Sequence, residues 1–172
     1  MINKIQTVPK IIFVDFDNTL SADIWSEEVD KSFFSQDNYV NWNSICKTNP
    51  RTYENCQPVP CIARAIHYFH EKGSRIILLG WEDKYFAQKL KEKWVDHYFS
   101  GMFEEKIFTG STEQKVKVME MYSLTEGIDR KEIAIIEDRP ATCDHADREG
   151  FMAWTLAFIA LKFDAPIPQI EI

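Results

Sequence analysis

Three short apolar runs punctuate the chain, and each ends on residues foreign to a core. Ile11-Ile12-Phe13-Val14 is made of β-branched and aromatic residues, the composition of a strand buried on both faces, and it breaks abruptly into Asp15 and Asp17. Arg75-Ile76-Ile77-Leu78-Leu79 predicts a second buried strand ending at Gly80-Trp81. A third, Ile133-Ala134-Ile135-Ile136, ends in Glu137-Asp138-Arg139-Pro140. Between these runs the spacing turns helical. Ile62, Ala65, Ile66 and Phe69 form one stripe of a helix over about 61–71, opened by Pro58-Val59-Pro60 and stopped by Gly73. Phe86, Leu90 and Trp94 mark the apolar face of a second helix, which runs to about His97. A short strand at Ile107-Phe108 and a turn at Thr109-Gly110 follow. Ser111 and Gln114 then have the spacing of a capping box, so a third helix starts there with Lys115 in its first turn. A helix over 141–149, stopped by Gly150, leads to a last strand near 151–156, and the proline-containing tail 164–172 reads as a peripheral extension.

Strands alternating with amphipathic helices predict an α/β fold, a parallel central sheet covered by helices on both faces. With 172 residues and 45% hydrophobic content the chain suits a single domain over 1–172. Residues 21–57 stand apart. Their aromatics (Trp25, Phe33, Phe34, Tyr39, Trp42) are scattered without periodicity, which predicts a small cap-like or flap-like insertion leaving the carboxyl end of the first strand. Those aromatics serve either to rim a ligand there or to tuck the insertion onto the body.

Charge and cysteine content narrow the function classes. The 20 basic and 27 acidic residues give a net charge of −7, with no lysine or arginine run to track a phosphate backbone. That excludes nucleic-acid binding driven by bulk charge and leaves only a local groove for a strand end. No signal-peptide core and no apolar run of bilayer-spanning length occur, so no membrane partner and a cytoplasmic location are expected. Cys46, Cys56, Cys61 and Cys143 contain no Cys-x-x-Cys pair and are expected as reduced thiols. His67 and His70 have i, i+3 spacing but read as helix surface rather than as a metal pair.

The strand ends carry the chemistry. In an extended chain residues two apart share a side, so Asp15 and Asp17 are expected to converge at the carboxyl edge of the sheet, where ligands bind in such folds. Two neighbouring carboxylates repel unless a cation lies between them or one keeps its proton. Glu137 and Asp138 bring the number to four, and a divalent cation with oxygen ligands, most simply Mg2+, resolves the repulsion. Lys115 is electrostatically odd, because a helix start favours anions. Either it balances a phosphate bound nearby or it points into solvent at small cost.

Asp15-Phe16-Asp17-Asn18-Thr19-Leu20, following an apolar strand, resembles the first motif of the haloacid dehalogenase (HAD) superfamily. Lys115 at a helix start resembles the third motif, and Ile133 to Asp138 resembles the acidic fourth. The resemblance implies a Rossmann-like three-layer sandwich with a minimal cap and a magnesium-dependent phosphatase acting on phosphomonoesters. Asp15 would be the nucleophile, Asp17 the general acid and base, and Lys115 the group stabilising both Asp15 and the transferring phosphoryl group. Mg2+ would be held by Asp15, by the main-chain carbonyl of Asp17 and by Asp138, with Glu137 nearby. Thr19, Gly80 and Trp81 would lie on the substrate side. The family's second motif ends its strand in Ser or Thr, whereas this strand ends Leu78-Leu79-Gly80-Trp81, so a hydroxyl ligand for phosphate is missing. A minimal cap fits a small phosphorylated metabolite or nucleotide as substrate. Glu137-Asp138-Arg139-Pro140 and the Trp42…Cys46…Pro50 spacing resemble polynucleotide kinase 3′-phosphatases, which makes a nucleic-acid end the second candidate. A non-catalytic phosphate-binding or metal-binding relative is the third.

Overall fold

The computed structural model describes residues 7–21, 42–54 and 56–163. Residues 22–41, most of the predicted insertion, and the tail from 164 lie outside the described residues. Five strands, β1 (Ile11–Val14), β2 (Arg75–Trp81), β3 (Phe103–Thr109), β4 (Ile133–Glu137) and β5 (Met152–Thr155), form one sheet in the order β3-β2-β1-β4-β5. All neighbours pair in parallel, with Val14 opposite Leu78 on one side and Ile136 on the other. The fold is the predicted α/β three-layer sandwich. β1 occupies the centre, and its four side chains are fully buried, as a strand covered on both faces requires.

Among the described residues, six α-helices surround the sheet: α1 (Trp42–Thr48), α2 (Pro60–Glu71), α3 (Tyr85–Tyr98), α4 (Glu113–Glu126), α5 (Pro140–Arg148) and α6 (Leu156–Phe163). Strand alternation sorts them into two layers. Ile12, Val14, Ile76, Leu78, Ala134 and Ile136 face Phe69 of α2, Trp94 and Val95 of α3 and Ile159 of α6. Phe13, Ile77, Leu79 and Ile135 face Val116, Met119 and Tyr122 of α4 and Ala146 of α5. Among the described part of the insertion, α1 lies beside α3, where Asn43 accepts a hydrogen bond from the Phe86 amide at 2.9 Å.

Several elements differ from the sequence reading. β2 runs two residues further, through Trp81, and β3 covers seven residues rather than two. The last strand ends at Thr155, and Leu156–Phe163, for which the sequence reading predicts no helix, is helical. The expected capping box does not form. Gln114 reaches past Ser111 to accept from the Gly110 amide at 2.9 Å, and the helix begins at Glu113. The buried face of α3 is Ala87, Lys91, Trp94 and Val95, one residue round from the Phe86, Leu90 and Trp94 stripe. All four cysteines are buried thiols that form no disulfide, and His67 and His70 are exposed on α2.

Candidate active site

β1 stops at Val14, but the chain stays in the sheet one residue longer, the Asp15 amide donating to Ile136 O at 3.0 Å. A tight turn then folds back on itself. The Phe16 carbonyl accepts from the amides of Leu20 at 3.1 Å and Ser21 at 3.0 Å, and Asn18 takes the left-handed conformation with φ 56°. Asparagine tolerates that conformation better than most side chains do, which accounts for its place in the turn. Phe16 anchors the turn from below, edge-on to Tyr53 and Trp94 with ring centroids at 5.6 and 5.2 Å.

Because the strand gives way to this turn, alternation does not carry through to Asp17, and the two aspartates engage different partners. Asp15 stays on the face covered by α4 and α5. Lys115, in the first turn of α4, places Nζ 2.6 Å from Asp15 Oδ1 and 2.7 Å from Glu137 Oε2. Its side chain is only 1% exposed. The helix-start lysine therefore meets an anion, in the first instance the protein's own carboxylates. Lys117, two residues on and exposed on the other side of the helix, is not part of the cluster.

Asp17 turns instead toward α3. Lys91 Nζ lies 2.7 Å from Asp17 Oδ2 and 3.2 Å from Glu82 Oε2, and it sits 5.4 Å from the centroid of the Phe16 ring. Lys91 is 2% exposed and Glu82 is buried, while Asp17 remains 37% exposed. Neither Lys91 nor Glu82 is suggested by the motif pattern. The available signal was the helical stripe Ala87, Lys91, Trp94, Val95, which places a lysine among core positions.

Burial governs the electrostatics. It pushes the Asp15 carboxyl above its usual range, against the pull of Lys115 and with the help of the nearby Asp17 charge. Glu137 is pushed up to about 8, first by burial and then by the Asp15 charge. For Lys115 burial works against the charge, but Asp15 and Glu137 outweigh it and raise the pKa. Lys91 is raised in the same way by Asp17 and Glu82.

Asp15, Glu137 and Asp138 each offer a carboxylate oxygen, all within 4.8 Å of one another. With Lys115 as their one close ammonium they leave two negative charges, which a single divalent cation neutralises. Asp138 Oδ1 is buried and accepts no hydrogen bond among the described residues, as expected of an oxygen reserved for a ligand. Hard carboxylate oxygens in this number suit Mg2+. The Asp17 carboxylate is not one of the three.

The remaining expected contacts divide. Thr19 is fully buried behind the turn, and its hydroxyl has no partner among the described residues. Gly80 belongs to the opposite face of the sheet from Asp15. A Cβ on it would come within 3.1 Å of the Phe108 ring and 3.7 Å of Phe16 Cβ. By alternation it is Leu79, not Gly80, that shares the face of Asp15, and neither residue carries a hydroxyl. Trp81, on the Asp15 side by the same alternation, donates from Nε1 to Gly110 O at 3.0 Å, and the exposed Arg139 guanidinium stacks 4.9 Å from its ring centroid.

No model of a known protein family and no curated protein matches this chain. Solved structures match it in shape. A haloacid dehalogenase-like hydrolase from Streptococcus pneumoniae superposes with a TM-score of 0.59 at 14% identity, over 92% of this chain and 93% of that one. A phospho-aspartyl intermediate analogue of phosphoserine phosphatase gives 0.56 at 13% identity, over 92% of each chain. A HAD family hydrolase from Salmonella enterica serovar Typhi gives 0.59 at 12% identity, over 95% of this chain and 75% of that one. Likeness at such identities is a likeness of architecture, and the chain has the fold of the haloacid dehalogenase-like hydrolases.

Proposed function

We propose that this chain is a magnesium-dependent phosphatase that cleaves phosphomonoesters through an aspartyl-phosphate. The observation that carries the reading is Asp15, buried at the end of the central strand, 2.6 Å from Lys115 and grouped with Glu137 and Asp138. A fold shared with a phosphatase caught as a phospho-aspartyl analogue supports it.

An Asp15 oxygen attacks phosphorus, and the bond from phosphorus to the substrate's ester oxygen breaks. Asp17 gives that departing oxygen a proton, so an alcohol leaves. A water then attacks the phosphorus of the aspartyl-phosphate and loses its proton to Asp17. The bond to Asp15 breaks, releasing inorganic phosphate and restoring both carboxyl groups. Lys115 stabilises Asp15 as an anion and the charge on the transferring oxygens. Asp15, Asp138 and the Asp17 carbonyl, with Glu137 alongside, would hold Mg2+, which when bound would neutralise charge on the phosphoryl oxygens.

A small phosphorylated metabolite or nucleotide is the substrate class we favour. The stacked Trp81 and Arg139 beside the site suit an anionic or aromatic portion of the substrate, which keeps a 3′-phosphorylated nucleic-acid end as the second candidate. The described residues contain no helix long and apolar enough to cross a membrane.

Purified protein with Mg2+ should hydrolyse p-nitrophenyl phosphate, and Asp15→Asn should reduce turnover by at least about 1,000-fold. A panel including nucleotides and 3′-phosphorylated oligonucleotides identifies the substrate class. Wild-type turnover equal to that of Asp15→Asn across the panel would favour the non-catalytic reading, for which Leu79 in place of a hydroxyl is the structural motive.

A further inference from the structure

A buried lysine requires an explanation, because each ammonium taken out of water must be repaid by well-placed partners. Lys91 has two, Asp17 and Glu82, and both lie outside the acidic cluster of Asp15, Glu137 and Asp138. The three residues come from separate elements. Asp17 belongs to the turn after β1, Glu82 follows β2, and Lys91 lies midway along α3. Glu82 is itself fixed: Oε1 accepts from the Lys84 amide at 3.0 Å, and its carbonyl accepts from Gln88 Nε2 at 2.6 Å. The chain of contacts thus runs from a rigid buried carboxylate, through a rigid buried ammonium, to one oxygen of the half-exposed Asp17.

Only Oδ2 of Asp17 is engaged by Lys91, and Oδ1 accepts no hydrogen bond among the described residues. A proton-transferring carboxylate on a tight turn has little else to hold its orientation. Displacing such a group by about 1 Å is enough to cost on the order of 100-fold in rate. We infer that Lys91, anchored by Glu82, is a positioning residue for Asp17, holding Oδ2 so that Oδ1 is presented to the leaving oxygen and then to the hydrolytic water. This rests on the phosphatase reading and adds to it a residue outside the family's motifs.

The test compares kcat/KM, which reports steps up to formation of the aspartyl-phosphate, for two esters. One is p-nitrophenyl phosphate, whose leaving group departs without taking a proton. The other is the alkyl phosphomonoester best used by the wild type, whose leaving group needs one. Lys91→Met orphans the buried Glu82, so Lys91→Met/Glu82→Gln is made alongside as the charge-balanced variant. We expect each to lower kcat/KM for the alkyl ester on the order of 100-fold more than for the aryl ester. In an Asp17→Asn background the same changes should cause no further differential loss. A crystal structure of the folded double variant should show the Asp17 carboxylate displaced or in several orientations. Equal losses with both esters, or an Asp17 carboxylate unmoved in the variant, overturn the inference while leaving the phosphatase reading intact. A wild type inert toward both esters overturns both.

Discussion

Lys115→Met tests the heart of the site. Methionine keeps the length and most of the volume of the lysine and deletes only the ammonium. Asp15 and Glu137, both buried, then face each other without the cation that lies 2.6 and 2.7 Å from them. Breaking a buried ion pair by removing one partner costs about 3–5 kcal/mol. Both carboxyl groups already have raised pKa values, so proton uptake relieves part of that cost and favours the lower end. For a chain of 172 residues each kcal/mol moves the melting temperature by about 2–4 °C. The expected fall is therefore roughly 6–20 °C in EDTA at neutral pH, read by circular dichroism. Added Mg2+ should raise the melting temperature of the variant more than that of the wild type, because the variant's carboxylates have lost their competing cation. Lys117→Ala, on the exposed side of the same turn, should stay within about 0.5 kcal/mol of wild type. A Lys115→Met protein that melts within about 2 °C of wild type and still turns over would refute the assignment of Lys115 and the charge argument with it.

Gly80→Thr should lower stability by about 1–3 kcal/mol through the contact with Phe108 and leave inhibition by inorganic phosphate unchanged, since the new hydroxyl faces away from Asp15. Tighter phosphate inhibition in that variant would refute the placement. Leu79→Thr puts a hydroxyl on the Asp15 face and should tighten phosphate inhibition while costing core packing in thermal melts; unchanged inhibition would count against the alternation argument. The raised pKa of Glu137 has a fixed sign. Moving from the ordinary 4.5 to about 8, the folded metal-free protein holds a proton that the unfolded chain releases. This contribution to stability is fully present below about 4.5 and is lost as pH rises through about 8. A cation displaces that proton, so the gain in melting temperature from Mg2+ should be larger at pH 8 than at pH 5.5. Equal gains at the two pH values would argue against Glu137 as part of the cation site.

Long, strongly patterned features were legible in the chain. The three apolar runs became β1, β2 and β4, and three of the four acids at their ends, Asp15, Glu137 and Asp138, became the carboxylate cluster. Lys115 was legible because a cation at a helix start violates a simple electrostatic preference. What could not be read has identifiable causes. α6 follows β5 with no polar break, and a short apolar run carries no period by which strand and helix can be told apart. The expected convergence of Asp15 and Asp17 assumed an extended chain, and the turn centred on Phe16 and Asn18 rotated Asp17 out of that pattern. Gly80 was matched to the missing hydroxyl by motif order, which does not say which face a strand residue takes; the pairing of β2 with β1 puts Leu79, not Gly80, on the face of Asp15. Lys91 was hidden in Lys89-Leu90-Lys91-Glu92-Lys93, which reads as a solvated face. Only the rotation of α3 about its axis, set by tertiary packing of Trp94 and Val95, decides which lysine goes inside.

The two aspartates of the turn thus receive lysines from opposite layers of the sandwich, Asp15 from α4 and Asp17 from α3, and each lysine carries a second buried carboxylate. The arrangement separates two demands that compete when both acids share one environment. In the proposed mechanism Asp15 must stay anionic and desolvated to attack phosphorus, and its lysine sits in the carboxylate cluster with Glu137 and Asp138. In the same mechanism Asp17 must exchange protons with solvent and substrate, which suits a carboxylate that is partly exposed and held by Lys91 through one oxygen. In the proposed mechanism, with no hydroxyl at Leu79 on the Asp15 face, Lys115 and a cation held at Asp15 and Asp138 would supply most of the charge that holds phosphate. Phosphate affinity in this chain should therefore depend more steeply on the cation than in a Leu79→Thr variant, and a pair of Mg2+ titrations of phosphate inhibition compares the two directly.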